Sequence, residues 1–297
     1  MMRRAASRSF YFLTGDLGYQ ALEPLREALG GRFINCGVAE QNMIGVAAGL
    51  ARDGHEVWVY SIGPFCYARP FEQIRNDVAL QRLPVRLIGN GGGYGYGVMG
   101  PTHHSLEDYG VLLTLPAMTV FVPARNADLE ACIQEMGAAT GPSYLRLGID
   151  EFGSADLSAA PFAAWRRSIS GEGAVAVTCG AIAGAVHRAA AALPEASRPD
   201  VWVVARLPFT HEALPPELTQ AIAGGRGLVV AEEHTAHGGV AGALARALLL
   251  RAVPVRRFRH LCASGYPSGR YGSQAYHRRE SGLHEDGIRQ ALEEVRQ

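Results

Sequence analysis

The sequence predicts an α/β fold made of two doubly wound units. Two observations carry the prediction. Short apolar runs alternate with small-residue stretches of helical period along most of the 297 residues, the pattern of a parallel sheet covered on both faces. The alternation lapses once, between Asp150 and Ser170, and then restarts. That lapse reads as a connecting strand or linker and sets a boundary, giving domains at residues 1–165 and 166–297.

Taken in order, the first strand is Phe10–Leu13, an aromatic and aliphatic run ended by Thr14-Gly15-Asp16. A helix follows at Glu40–Arg52, whose small residues let a neighbour approach closely. Strands are expected at Glu56–Ser61 and Val85–Gly89, with a helix at Phe71–Gln81 between them. Thr119–Val122 and Ser143–Leu147 read as strands around a helix at Ala127–Ala138. In the second half, strands are expected at Ala174–Thr178, Val201–Leu207, Leu228–Glu232 and Val255–Phe258. Helices are expected near Ile182–Ala192, at Gly239–Leu250 and at Glu285–Val295.

Composition narrows the function classes. Hydrophobic residues make up 48% and charged residues 19%, and 28 cations balance 28 anions, so no electrostatic footprint for nucleic acid is present. No apolar run reaches the roughly 18 residues that a membrane span needs. The basic start, Met1 to Arg8, leads into FYFLTG, too short for a signal core and without a small-residue cleavage site. Cys36, Cys66, Cys132, Cys179 and Cys262 are odd in number, dispersed and free of any CxxC spacing. Neither a disulfide framework nor a zinc knuckle is suggested, and a cytoplasmic location is the expectation.

Three stretches carry chemistry. GVAEQNMIGVAAGL, residues 37–50, puts one acid, Glu40, at the entrance of a helix in which Gly45, Ala47, Ala48 and Gly49 have almost no side-chain bulk. An acid there gains roughly 0.3–1 kcal/mol from the helix dipole, so on the residues alone Glu40 fits a helix-start acid beside a packing helix. SIGPFCYARPFEQIRNDVALQ, from Ser61 to Gln81, places Phe65, Tyr67 and Phe71 just after a strand, where they serve as core or as a stacking face. NGGGYGYGVMG runs from Asn90 to Gly100 and leads into GPTHHSLED, which carries His103 and His104. Gly95, Gly97 and Gly100 formally satisfy GxGxxG, but Pro101-Thr102 follows instead of a helix, and no acid follows the next strand. A mobile loop that carries His103 to a site is the better reading. HTAHGG, at His234 to Gly239, has the spacing of a metal pair but no third ligand nearby.

GVAEQNM, FEQIRNDVALQ and GPTHHSLED together resemble the C-terminal half of a transketolase, that is, its pyrimidine-binding domain followed by its C-terminal domain. The two most specific runs lie about sixty residues apart, and EEH…GG from Glu232 and the segment from Tyr271 to Ile288 resemble the family's later portion. The resemblance implies thiamine diphosphate as cofactor, with Glu40 as the acid on its aminopyrimidine. It implies Phe65 as the stacking aromatic, with Tyr67 and Phe71 as competitors, and Asp16 on an acidic loop beside the cofactor. His103, with His104 beside it, matches the substrate-side histidine, and Arg146 in SYLRLG matches a phosphate-end arginine. Here GDL replaces the GDG of the family's diphosphate domain. The resemblance therefore implies that Mg²⁺ and the diphosphate are held by a separate, GDG-carrying N-terminal transketolase subunit, most simply in an α2β2 heterotetramer.

The departures concern the substrate. Met99 stands where the family has an acid just before GPTH, Gly91 where it has a histidine twelve residues before His103, and Gln20 where it has a serine four residues after Asp16. Losing charge-assisted contacts of this kind, each worth roughly 1.5–3 kcal/mol, points away from a standard aldose phosphate as acceptor. The expected activity is transfer of a two-carbon ketol unit between sugars. The alternatives are a decarboxylating relative, resembling deoxyxylulose-phosphate synthase or a 2-oxoacid dehydrogenase β subunit, and a non-catalytic scaffold subunit.

Overall fold

The computed structural model describes residues 1–152, 161–210 and 213–296. Two sheets organise them. The first has seven strands: β1 (Phe10–Thr14), β2 (Phe33–Asn35), β3 (Glu56–Ile62), β4 (Val85–Asn90), β5 (Thr119–Phe121), β6 (Ser143–Arg146) and β10 (Arg206–Leu207). Their spatial order is β10-β5-β6-β4-β3-β1-β2. The second has five strands: β7 (Trp165–Ile169), β8 (Val175–Cys179), β9 (Asp200–Val204), β11 (Leu228–Ala231) and β12 (Phe258–Leu261). Their order is β12-β11-β8-β9-β7. Pairing is parallel except at two edges, where β10 runs against β5 and β7 against β9. All residues of β8 and β9 are buried, which explains why both are mostly apolar, with Thr178 and Asp200 as the exceptions.

Helices cover the sheets. Around the first lie α1 (Glu23–Leu29), α2 (Glu40–Arg52), α3 (Gly63–Tyr67), α4 (Phe71–Gln73), α5 (Asp108–Leu112) and α6 (Leu129–Ala138). Around the second lie α7 (Ala183–Ala191), α8 (Pro216–Ala223), α9 (Val240–Leu250), α10 (Gln274–Glu280) and α11 (Glu285–Glu294). The α2 helix has the predicted bounds and buries Met43, Ile44, Ala47, Ala48 and Ala51 against the sheet. Among the described residues no helix is long and apolar enough to cross a membrane.

Several predicted elements need correction. The helix expected at Phe71–Gln81 is α4 continued by a π-helical segment, Ile74–Ala79, whose wider turn a 3.6-residue period does not anticipate. The strand expected at Val201–Leu207 divides: β9 stays in the second sheet, while β10 crosses over to edge the first. The strand expected at Val255–Phe258 lies later, at Phe258–Leu261. Of the expected connector, residues 153–160 lie outside the described residues, and Trp165–Ile169 is an edge strand. The β2 strand was not expected, because three residues at a part-exposed edge are too short to show a period.

This topology builds one site. Strands β4, β3, β1 and β2 are neighbours and parallel, so their carboxyl ends and following loops share one edge. The chain passes from β1 outward to β2 and then back over β1 to β3. Such a reversal opens a crevice between the loops that follow β1 and β3.

Candidate functional site

Glu40 enters this crevice from the loop after β2, as the first residue of α2. Its side chain is 2% exposed, and both carboxylate oxygens meet Arg69 Nη1, at 2.8 and 2.9 Å. Gly15, after β1, carries no side chain beside it: a Cβ there would lie 3.5 Å from the Gly37 carbonyl and 3.8 Å from both Glu40 Cγ and Ser61 Oγ. Ser61 Oγ is buried and has no hydrogen-bond partner among the described residues. A buried acid, an unused hydroxyl and a missing side chain thus border the same space.

Phe65 comes from α3, after β3. The Arg69 guanidinium carbon lies 4.1 Å from its ring centroid. The His103 ring, from the loop after β4, lies 5.3 Å from Phe65 with 68° between the planes. Glu40, Arg69, Phe65 and His103 therefore form a continuous chain of contacts from three different strand ends.

The two adjacent histidines have different surroundings. His104 is 3% exposed. Its Nε2 is 2.8 Å from the Gly97 carbonyl, which can only accept, so Nε2 carries the proton and Nδ1, at 2.7 Å, accepts from Tyr266 OH. Burial lowers its pKa, although the Gly97 hydrogen bond opposes this. His104 thus braces the loop from within. His103 is half-buried, its Nδ1 is 2.8 Å from Thr102 Oγ1, and no described residue engages its Nε2.

The structure places the other predicted residues as follows. Asp16, with φ +55°, is clasped by Asn35: the Asp16 amide donates to Asn35 Oδ1 at 3.0 Å, and Asn35 Nδ2 donates to Asp16 Oδ1 at 2.8 Å. Asn35 Oδ1 also accepts from the Gly37 amide at 2.9 Å, tying the acidic loop to the segment that presents Glu40. Asp16 also lines a pocket of about 140 Å³ with Thr14, Tyr19, Arg26 and Asn35. Tyr67 is 4% exposed, belongs to the main core cluster and donates to Glu107 Oε2 at 3.1 Å. Burial, with help from Asp108 and Glu107, pushes its pKa well up. It is packed as a core residue, and Phe71 lies against the same core.

Arg146 is interior, 6% exposed. Its Nη2 donates to the carbonyls of Ser105 and Glu233 at 2.7 and 2.8 Å, and its Nε lies 3.1 Å from Asp108 Oδ2. Burial works against its charge, but Asp108 and its other neighbours outweigh burial and hold its pKa above the ordinary value. Reaching a substrate from there would require that cluster to open. Met99 ends a 3-10 turn and is 53% exposed.

Sequence reasoning missed Arg69, Asn35 and Tyr96. Arg69 follows Phe65 by four residues, the spacing that brings side chains together on a helical turn, and that signal was available. Tyr96 was hidden by the glycines around it. Its ring lies 5.7 Å from His103, its hydroxyl accepts from Asn90 Nδ2 at 3.0 Å, and a Cβ on Gly91 would come within 2.1 Å of it. The Gly91 departure is thus matched by a tyrosine ring in the space that a side chain there would need.

Residues 5–151 match the family described as "Transketolase, pyrimidine binding domain". The chain is 36% identical over 137 residues to a subunit of the apulose-4-phosphate transketolase of Phocaeicola vulgatus, a match covering 46% of this chain and 43% of that one. It is 34% identical over 274 residues to "1-deoxy-D-xylulose-5-phosphate synthase 2" of Geobacter sulfurreducens, covering 87% of this chain and 41% of the synthase. The matches thus span less than half the length of either relative. Among solved structures, "Split gene transketolase, inactive beta4 tetramer" superposes with a TM-score of 0.81 at 26% identity, covering 99% of this chain and 94% of that one.

Proposed function

We propose that this chain, whose residues 5–151 match the transketolase pyrimidine-binding family, is one subunit of a two-subunit, thiamine-diphosphate-dependent transketolase. The observation that carries the reading is the convergence of Glu40, Phe65 and His103 at the carboxyl ends of neighbouring strands. The residues fit the group: a 2% exposed carboxylate, an aromatic face, and a side-chain-free Gly15 beside a buried hydroxyl that has no partner among the described residues.

Thiamine diphosphate, when bound, supplies a carbon nucleophile that carries the two-carbon ketol unit. This chain's residues hold and orient it. Glu40, immobilised at the start of α2, shares a proton with a basic nitrogen of the aminopyrimidine. Phe65 provides a flat face for that ring. His103, with Nε2 unengaged and its ring held beside Phe65 and Tyr96, moves a proton at a substrate hydroxyl or carbonyl oxygen.

The diphosphate and its Mg²⁺ fall to a GDG-carrying partner chain, in an α2β2 assembly in the cytoplasm. Val38, Val98 and Met99 support a covering partner, because they are 77%, 73% and 53% exposed on the loops after β2 and β4. Such apolar side chains around a site rim suit an interface. The acceptor is a sugar other than a standard aldose phosphate, supported by Gly91 and Met99 and by the apulose-4-phosphate named for the Phocaeicola relative. The proposed domain division is 1–165 and 166–297, with β10 crossing back to edge the first sheet.

Glu40→Gln in the reconstituted complex tests the reading. Ketol transfer should fall by about 10²–10⁴-fold, the range for loss of a positioned acid–base group, while the complex still assembles. Unchanged turnover would move weight to a scaffold role. The synthase match over 87% of this chain favours a second reading, decarboxylation of a 2-oxoacid donor, and CO₂ release from pyruvate would select it.

A further inference from the structure

We propose that Arg69 is a built-in competitor for the aminopyrimidine place, holding Glu40 and covering Phe65 until the cofactor ring displaces it; this rests on the functional reading above. Arg69 Nη1 lies 2.8 and 2.9 Å from the two Glu40 oxygens while its guanidinium carbon stands 4.1 Å from the Phe65 centroid. A planar cation stacked on an aromatic ring and hydrogen-bonded to a carboxylate makes the same pair of contacts that a protonated heteroaromatic ring makes. Arg69 and a pyrimidine cannot both use Glu40 and the same face of Phe65.

The mobility of the partners is unequal. Glu40 is 2% exposed and fixed at a helix start, whereas Arg69 is 44% exposed and follows the short α3. When a ring enters, Arg69 is the group free to turn toward solvent. A cation that pairs with Glu40 also spares this buried carboxylate from standing alone. Among the described residues Arg69 is the cation paired with Glu40, so the role is not shared.

The consequence is a penalty on cofactor affinity that removal of Arg69 relieves. Calorimetric titration of thiamine diphosphate with Mg²⁺ into the reconstituted complex should show Arg69→Gln binding about tenfold more tightly than wild type, equivalent to about 1.4 kcal/mol. Arg69→Lys keeps the charge but loses the planar fork. It should lie between the two and serves if the glutamine variant does not fold. In this chain alone, thermal unfolding should show Arg69→Gln costing less in a Glu40→Gln background than in wild type, as expected for a coupled pair. Equal or weaker binding by both variants, with wild type binding normally, would overturn the competitor role and leave the functional reading intact. Failure of the wild-type complex to bind thiamine diphosphate would overturn both.

Discussion

His103 and its neighbour separate two roles that the doublet HH conceals. His104 spends both ring nitrogens on Gly97 and Tyr266, whereas no described residue engages Nε2 of His103, the nitrogen proposed to meet the substrate. His103→Ala should therefore lower kcat/KM by about 10²–10³-fold, within the range for one proton-transfer group, and leave the unfolding midpoint nearly unchanged. His104→Ala should do the reverse, lowering the midpoint by several degrees through an opened cavity and two lost hydrogen bonds. Steady-state kinetics beside thermal denaturation of both variants checks the division. Gly91 is the second residue whose role is local and strict. At φ +79°, with Tyr96 within 2.1 Å of a would-be Cβ, Gly91→Ala meets both backbone strain and a clash. A cost of about 1–3 kcal/mol is expected. In a Tyr96→Ala background only the backbone part should remain, so urea denaturation of the four-member cycle should show a smaller cost there.

The loop after each parallel strand is the element that makes the site, and loops were the least legible part of the sequence. Strands β1, β3 and β4 announced themselves by buried apolar runs, and α2 by a smooth small-residue face. Glu40, Phe65 and His103 could be singled out because motifs flank them, and the fold brings the three together. The short β2 was not, and with it went the role of Asn35, whose single amide joins Asp16 and Gly37 across the crevice. The spacing of Arg69 from Phe65 was readable, but its pairing was not, since that depends on a carboxylate 29 residues away. Nor were the surroundings of Arg146 legible: its partners, Asp108 and the carbonyls of Ser105 and Glu233, come from distant parts of the chain. Asn35→Ala tests the clasp. The fold should persist at a loss of about 1–2 kcal/mol, while the amides of Asp16 and Gly37 exchange faster with deuterium. Unchanged protection at both amides would remove Asn35 from this role.

At the scale of the whole molecule, the second half braces the histidine loop of the first. The Tyr94 amide donates to Glu233 Oε1 at 2.8 Å, Tyr109 OH donates to Glu232 Oε2 at 2.6 Å, and Tyr266 meets His104. Two histidines of this junction, His104 and His234, are lowered in pKa chiefly by burial; Asp108 and Glu232 pull His234 the other way without prevailing. A histidine held neutral in the fold takes up its proton more readily when unfolded. The unfolded state therefore binds more protons as pH falls through about 6.5, and stability drops there. Thermal midpoints should decline between pH 7.5 and 5.5, above the range where carboxylates titrate, and decline less in His234→Gln. The junction holds His103 over a site that, on this account, closes only when a second chain supplies the diphosphate-binding half. The most direct test is calorimetric titration of thiamine diphosphate with Mg²⁺ into this chain, into the GDG-carrying partner and into their complex. The account predicts tight binding by the complex alone, and tight binding by this chain without its partner would contradict it.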